Sequence, residues 1–141
     1  MENQDCGFLI KQIDSALNKR ANANLKHVGV TLTQVAALEA IYSQPGCQVE
    51  FKQLEKLLRV SQPTTVGIIS RLRDKGLLET FYSEESPNAK VASLTAAGKA
   101  ICDEAGQLVA HEEETLLSGF DDDERRQFIS MLQRVVDNVS D

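Results

Sequence analysis

Residues 60–82 read VSQPTTVGIISRLRDKGLLETFY, and the punctuation of this stretch decides the fold. Ser61 can accept a hydrogen bond from the N–H groups at a helix start, and Pro63 suits a first turn, where its missing N–H would be unsatisfied anyway. Val66, Ile69 and Leu72 recur at helical spacing as an inner face, and Gly76 suits the position just past a helix end. The stretch predicts a capped helix from Gln62 to Lys75 and then a strand.

Working outward, FKQLEKLL (51–58) predicts a second short helix with Phe51, Leu54, Leu57 and Leu58 inward. A turn at Arg59 to Ser61 joins the two, which makes a helix-turn-helix. Downstream, LLETFY (77–82) and AKVASL (89–94) are β-compatible and are separated by the polar, proline-containing SEESPN (83–88). That order predicts a hairpin.

The flanks are helical. From Phe8 to about Val28, Leu9, Ile13, Ala16, Leu17 and Leu25 recur among charged residues, and Gly29 ends the run. Thr33 is read as the cap of a second helix with Val35, Leu38 and Ile41 inward, stopped by Pro45 and Gly46. From Thr95, a stripe of Ala100, Ile101, Ala105, Leu108, Val109, Leu116 and Leu117 leads to Gly119 and an acidic DDDE run (121–124). A last helix follows, with Phe128, Met131, Leu132, Val135, Val136 and Val139. These terminal stripes exceed what a small winged helix can cover, so they mark an interface, most simply a two-fold one between copies of the chain.

The 141 residues, 42% of them hydrophobic, suit one domain with a real core. The formal charge of −6 argues against a protein that coats nucleic acid. Its distribution matters more: residues 51–82 hold six Lys/Arg against three Asp/Glu, whereas residues 83–141 hold five against thirteen. The basic segment is the one a phosphate-facing surface requires. Cys6, Cys47 and Cys102 lack C-x-x-C spacing, so reduced thiols are expected, with no structural metal site. No apolar run reaches the roughly 20 residues that span a bilayer, and the first ten residues have no signal-peptide pattern, so a cytoplasmic protein without membrane contact is expected. Phosphate-binding glycine loops, H-E-x-x-H and G-x-S-x-G are absent; an enzyme is not expected, and no cofactor is.

The order of elements, with VTLTQVAALEAI (30–41), FKQLEKLLRVSQPTTVGIISRLRDKGLLE (51–79) and LTAAGKAI (94–101) in register, resembles the MarR family of bacterial transcription regulators over nearly the whole chain. The resemblance implies a mainly α fold with a small β-hairpin wing, a winged helix-turn-helix carrying long N- and C-terminal dimerisation helices. As a single domain over 1–141, residues 31–98 would form the winged helix-turn-helix, with 1–30 and 99–141 the dimerisation helices. It implies a homodimeric repressor on a palindromic double-stranded DNA operator, with a small aromatic or phenolic effector that releases or retunes it.

Under that reading Gln62, Thr64, Thr65, Ser70, Arg71, Arg73 and Lys75 on the recognition helix reach phosphates or base edges in the major groove. Lys52 and Arg59 on its flank, and Ser86, Asn88 and Lys90 in the wing, complete the surface. Lys56 adds positive potential. Ile13 and His27 would line a ligand cleft between the dimerisation region and the reading head. Cys6 falls about one residue from the reactive cysteine of the peroxide-sensing branch; its neighbours Glu2 and Asp5 are acidic, where a sensor thiol favours an electropositive surrounding. HEEE (111–114) reads as a solvated charge run, since consecutive helical residues point in different directions.

Two departures stand out. Gly67 occupies a groove-facing position where typical members carry arginine, and a glycine there implies close backbone approach, altered recognition or relaxed function. The wing's Asp-x-Arg falls on Ser86 and Asn88, and Glu84 and Glu85 at the tip would repel phosphates. They support an alternative reading, a winged-helix protein-interaction module with weakened or lost specific DNA binding.

Overall fold

The computed structural model describes residues 5–140. By internal packing the chain divides after Leu108 into two units, and helix α5 runs through the division. The first unit contains α1 (Cys6–Leu25), α2 (Leu32–Tyr42), β1 (Gln48–Glu50), α3 (Phe51–Leu58), α4 (Gln62–Asp74), β2 (Leu78–Tyr82), β3 (Lys90–Leu94) and most of α5 (Ala96–Leu116). The second holds the end of α5 and α6 (Asp122–Val139). The fold is mainly α with a small antiparallel sheet, as the sequence predicts.

The helix-turn-helix forms for the local reasons its residues announce. Arg59 leaves α3 in the left-handed region at φ 56, and the Ser61 hydroxyl accepts from the Thr64 N–H at 3.3 Å. Gly76 takes φ +76 just beyond the Lys75 cap, which turns the chain into β2.

One inner side of α4, made of Thr65, Ile68, Ile69 and Leu72, packs into a core shared with Leu54 of α3, Leu38 and Ile41 of α2, and Leu78, Ala92 and Leu94 of the sheet. Val66, expected inside, is 45% exposed, and Thr65 takes its place. Burial of Thr65 is tolerated because its hydroxyl donates to the Ser61 carbonyl at 3.0 Å, which leaves no orphan polar atom. Leu57, also expected inside, is exposed, while Leu54 is fully buried.

The second helix begins two residues earlier than predicted. Thr31, not Thr33, is its cap: the Thr31 hydroxyl accepts from the Gln34 N–H, and the Gln34 side chain accepts from the Thr31 N–H, a reciprocal capping box. The sequence reading also omitted β1. This short strand pairs with β3 on the side away from β2, in the order β1-β3-β2, with Val49 opposite Ala92.

Entry into α5 is unusually close-packed. Thr95 donates its hydroxyl to the Gly76 carbonyl at 2.8 Å, accepts from the Gly98 N–H at 3.1 Å, and gives its N–H to the Leu77 carbonyl. Gly98 is thereby drawn onto Leu77: a Cβ there would lie 2.3 Å from the Leu77 carbonyl oxygen and 2.9 Å from a Leu94 methyl. Only glycine fits. Further along, Cys102 and Ala105 are buried, whereas Ala100 and Val109 of the predicted stripe are exposed.

In the second unit, Gly119 at φ +87 makes the corner, and Asp121 forms a second capping box with Glu124. Arg125 secures this corner, donating to the carbonyls of Phe120 and Leu117 and to Glu114 at 3.0 Å. Hydrogen bonding to Glu114, ahead of the other nearby carboxylates, holds its pKa above the ordinary value. Among the described residues no helix is long and apolar enough to cross a membrane.

Candidate nucleic-acid interface

The surface of α4 opposite its buried side carries the predicted contact residues. Gln62, Thr64, Arg71 and Arg73 are exposed and Ser70 is half-buried, with the two arginines in the last turns. Thr64 is partly engaged, since the Ser61 hydroxyl donates to its Oγ1 at 2.9 Å. Arg73 leans toward β2, its guanidinium 3.5 Å from the Thr80 hydroxyl.

Two clefts flank the helix. On one side, a cleft of about 630 Å³ brings together Lys52, Gln62, Ser86, Asn88 and Lys90 with Val66 and Tyr82. Predicted residues from α3, α4 and the wing therefore converge here. On the other side, a cleft of about 700 Å³ joins Thr64, Gly67 and Arg71 to Asn22, Lys26 and Thr33.

The wing is organised by short-range bonds. Lys90 pairs with Tyr82 across the strands, and its ammonium lies 5.6 Å from the centre of the Tyr82 ring, a cation–π contact that presents the charge beside α4. At the tip the Ser83 hydroxyl accepts from the N–H groups of Glu85 and Ser86, and the Ala89 N–H donates to the Ser86 carbonyl. Ser86 and Asn88 are left exposed beside Glu84 and Glu85.

Two sequence expectations need correction, and a third is narrowed. Thr65 is fully buried, so its side chain faces the core and not the surface. Lys75 turns its ammonium away from the outer face of α4 and donates to the Gly29 carbonyl and the Gln34 side chain. Gly67 has nothing within 4 Å of the position its Cβ would occupy, so close packing inside the chain does not explain the glycine.

The remaining residues stay apart. Arg59 is exposed in the turn. Ile13 is exposed on α1, and His27 lies beyond its end, roughly 20 Å along at helical rise. His27 Nε2 is 3.7 Å from Glu104 of α5, with both side chains largely in solvent. Cys6 is exposed at the first turn of α1, where Asp5 accepts from the Phe8 N–H at 2.8 Å; Glu2 lies outside the described residues. Burial, then the charges of Glu39 and Asp103, pushes the Cys102 thiol up to about 11, which leaves it a poor nucleophile. No cluster of metal-ligating side chains occurs among the described residues.

Sequence reasoning missed Tyr82, Lys26 and Asn22. A cross-strand pairing of Tyr82 with Lys90 needs the hairpin register, and the other two need the turn of α1 against α2.

Comparison with known proteins agrees with this architecture. A family model described as MarR family matches residues 28–90. An uncharacterized HTH-type transcriptional regulator of Bacillus subtilis, YybA, is 28% identical over 92% of the chain and 85% of its own length. The Mycobacterium tuberculosis HTH-type transcriptional repressor Rv2887 is 24% identical over 92% of the chain and 91% of its own. Among solved structures, Staphylococcus aureus MepR in complex with DNA superposes with a TM-score of 0.89 at 19% identity, over 97% of this chain and all of that one. A MarR variant of Escherichia coli complexed with operator DNA gives 0.82 at 24% identity, over 92% of each chain. The family-model match over residues 28–90 and the near full-length relatives make the chain similar to MarR-family regulators, and the solved structures share its winged helix-turn-helix fold.

Proposed function

We propose that the chain is a DNA-binding transcriptional regulator, a homodimeric repressor that presents two α4 helices to successive major grooves of a palindromic operator. One observation carries the reading: α4 is fixed from beneath by Ile68, Ile69 and Leu72 while Gln62, Thr64, Arg71 and Arg73 stay exposed beside a wing that carries Lys90. A helix so held, with amides, hydroxyls and guanidinium groups outward, has the donors and acceptors that base edges and phosphates require. MepR and MarR, which share the fold, were solved on DNA, and several relatives are named as repressors.

Dimerisation is proposed from the exposed apolar residues on α1 (Phe8, Leu9, Ile10, Ile13) and on α6 (Ile129, Met131, Leu132, Val135, Val136, Val139). Two-fold association would cover them and space the two reading heads about one helical turn of DNA apart. Control by a small aromatic effector is proposed by analogy with Bordetella bronchiseptica BpsR, whose DNA binding is regulated by 6-hydroxynicotinic acid. Such a ligand acts by binding better to a dimer whose heads are mis-spaced.

The test is enrichment of bound sites from random duplex DNA, followed by a salt titration on the winning sequence. Wild-type protein should select a palindrome. Arg71→Ala with Arg73→Ala should weaken binding and flatten the plot of log affinity against log salt by about 0.9 for each phosphate contact removed. Binding no better than to random DNA at physiological salt would discard the repressor reading. The protein-interaction module, which the acidic wing tip of Glu84 and Glu85 favours, would replace it.

A further inference from the structure

Lys75 ends the helix that carries the exposed basic surface, yet its ammonium group is engaged by acceptors of the reading head itself. Nζ donates to the Gly29 carbonyl at 2.5 Å and to the Gln34 Oε1 at 2.9 Å. Both acceptors lie far away in sequence, by 46 and 41 residues. Gly29, at φ +83, closes the last turn after α1, and Gln34 belongs to the capping box that starts α2. One cation thus ties the C-terminal end of α4 to the corner where α1 gives way to α2.

The corner is itself fastened at two other points. Asn22 of α1 accepts from the Leu32 N–H at 3.0 Å, and the Gln34 Oε1 that receives Lys75 also accepts from the Thr31 N–H at 3.1 Å. Gln34 is buried, so its carbonyl oxygen depends on these partners in place of water. An ammonium has three donors, and two are committed here to neutral acceptors in charge-assisted bonds, stronger than ordinary amide pairs. A lysine held this way has little freedom to swing out to a phosphate.

We propose that Lys75 is a positioning residue: it sets the angle of α4 against the α1–α2 corner, and so passes a movement of the end of α1 to the helix that reads DNA. The proposal rests on the reading of α4 as the recognition helix. It assigns the basic residue that caps α4 to alignment, whereas Arg71 and Arg73 remain contact residues. The distinction is measurable, because a phosphate contact adds about 0.9 to the slope of log affinity against log salt and an internal strut adds nothing.

The experiment compares full-length wild type, Lys75→Met, Lys75→Arg, Gln34→Met and the double variant Lys75→Met with Gln34→Met. Operator affinity is measured across a salt series, and amide exchange is followed in the DNA-free protein. Lys75→Met should lower affinity about tenfold, the worth of one charge-assisted hydrogen bond, with the salt slope unchanged. Exchange should quicken at residues 29–34 and in the last turn of α4 together. Lys75→Arg, which keeps donors at the site, should recover most of the affinity, and the double variant should be no worse than the poorer single one.

A slope reduced by about 0.9 in Lys75→Met would make Lys75 a phosphate contact and overturn the proposal. Unchanged affinity and exchange would make it an ordinary surface lysine. If the wild type selects no duplex at all, the recognition-helix reading falls, while the exchange comparison still decides whether the strut exists.

Discussion

Helices α4 and α6 both begin at a side-chain cap, Ser61 and Asp121, and both carry apolar residues, but within one chain only α4 buries them. α4 places Ile68, Ile69 and Leu72 in the core, whereas none of the 18 residues of α6 is buried. In proteins most helical stability comes from packing an amphipathic face rather than from propensity. The contrast separates two cases: α4 is held by its own chain, whereas α6 leaves its apolar residues exposed, and the proposed dimer would cover them.

The comparison breaks most decisively at α6. Leu132→Glu with Val136→Glu would place two carboxylates in an apolar interface and should weaken dimerisation by about 4 kcal/mol or more, read by sedimentation across a dilution series. A variant that sediments like wild type would show that this face is not the seam.

On the covered side, Gly98→Ala forces a methyl against the Leu77 carbonyl and should lower unfolding free energy by about 3 kcal/mol in urea titrations. Little or no loss would mean that α5 can back away from the sheet.

A third test uses a thiol in the covered region. The folded-state pKa of Cys102 is raised from 9.0 to about 11, so its contribution to stability is full below pH 9 and disappears as pH rises toward 11, because the unfolded chain ionises first. Urea midpoints should fall over that window more steeply in wild type than in Cys102→Ala. Equal slopes would remove the thiol from the account.

The smallest effect sharpens the reading surface itself. Gly67→Ala meets no atom within 4 Å and should stabilise the helix by about 0.5–1 kcal/mol in thermal or urea melts. If operator affinity falls while stability rises, the glycine serves close approach to DNA.

What was legible in the sequence follows from how local each cause is. Ser61, Pro63 and Gly76 act within one helical turn of their own positions, so the ends of α4 could be read directly. The phase of α4 was harder: Ile69 and Leu72 fit a stripe through either Val66 or Thr65, and polarity favoured Val66 inside. The choice turned on the bond from the Thr65 hydroxyl to the Ser61 carbonyl, which makes a buried threonine acceptable. At α2 the cap is Thr31 and not Thr33, and the Thr31-x-x-Gln34 pairing, a capping-box pattern visible in the sequence, is the signal that identifies it. β1 is three residues long and exists through its partner Ala92 and neighbours, so no local pattern announces it. Lys75 looked like its basic neighbours because its two acceptors lie in another part of the chain.

The pairing of β1 with β3 also bears on when the reading head can form. Val49 meets Ala92, so the whole helix-turn-helix, β2 and the wing tip lie inside the loop that this contact closes. Loop closure must be met before the pairing rewards it, which makes the step slow beside helix formation. On the ribosome, α3 and α4 emerge well before β3, and their apolar faces must wait for the strand that completes their floor. A stall between Tyr82 and Lys90 would therefore expose a half-built head, and the acidic wing tip lies in the last stretch to emerge before that strand.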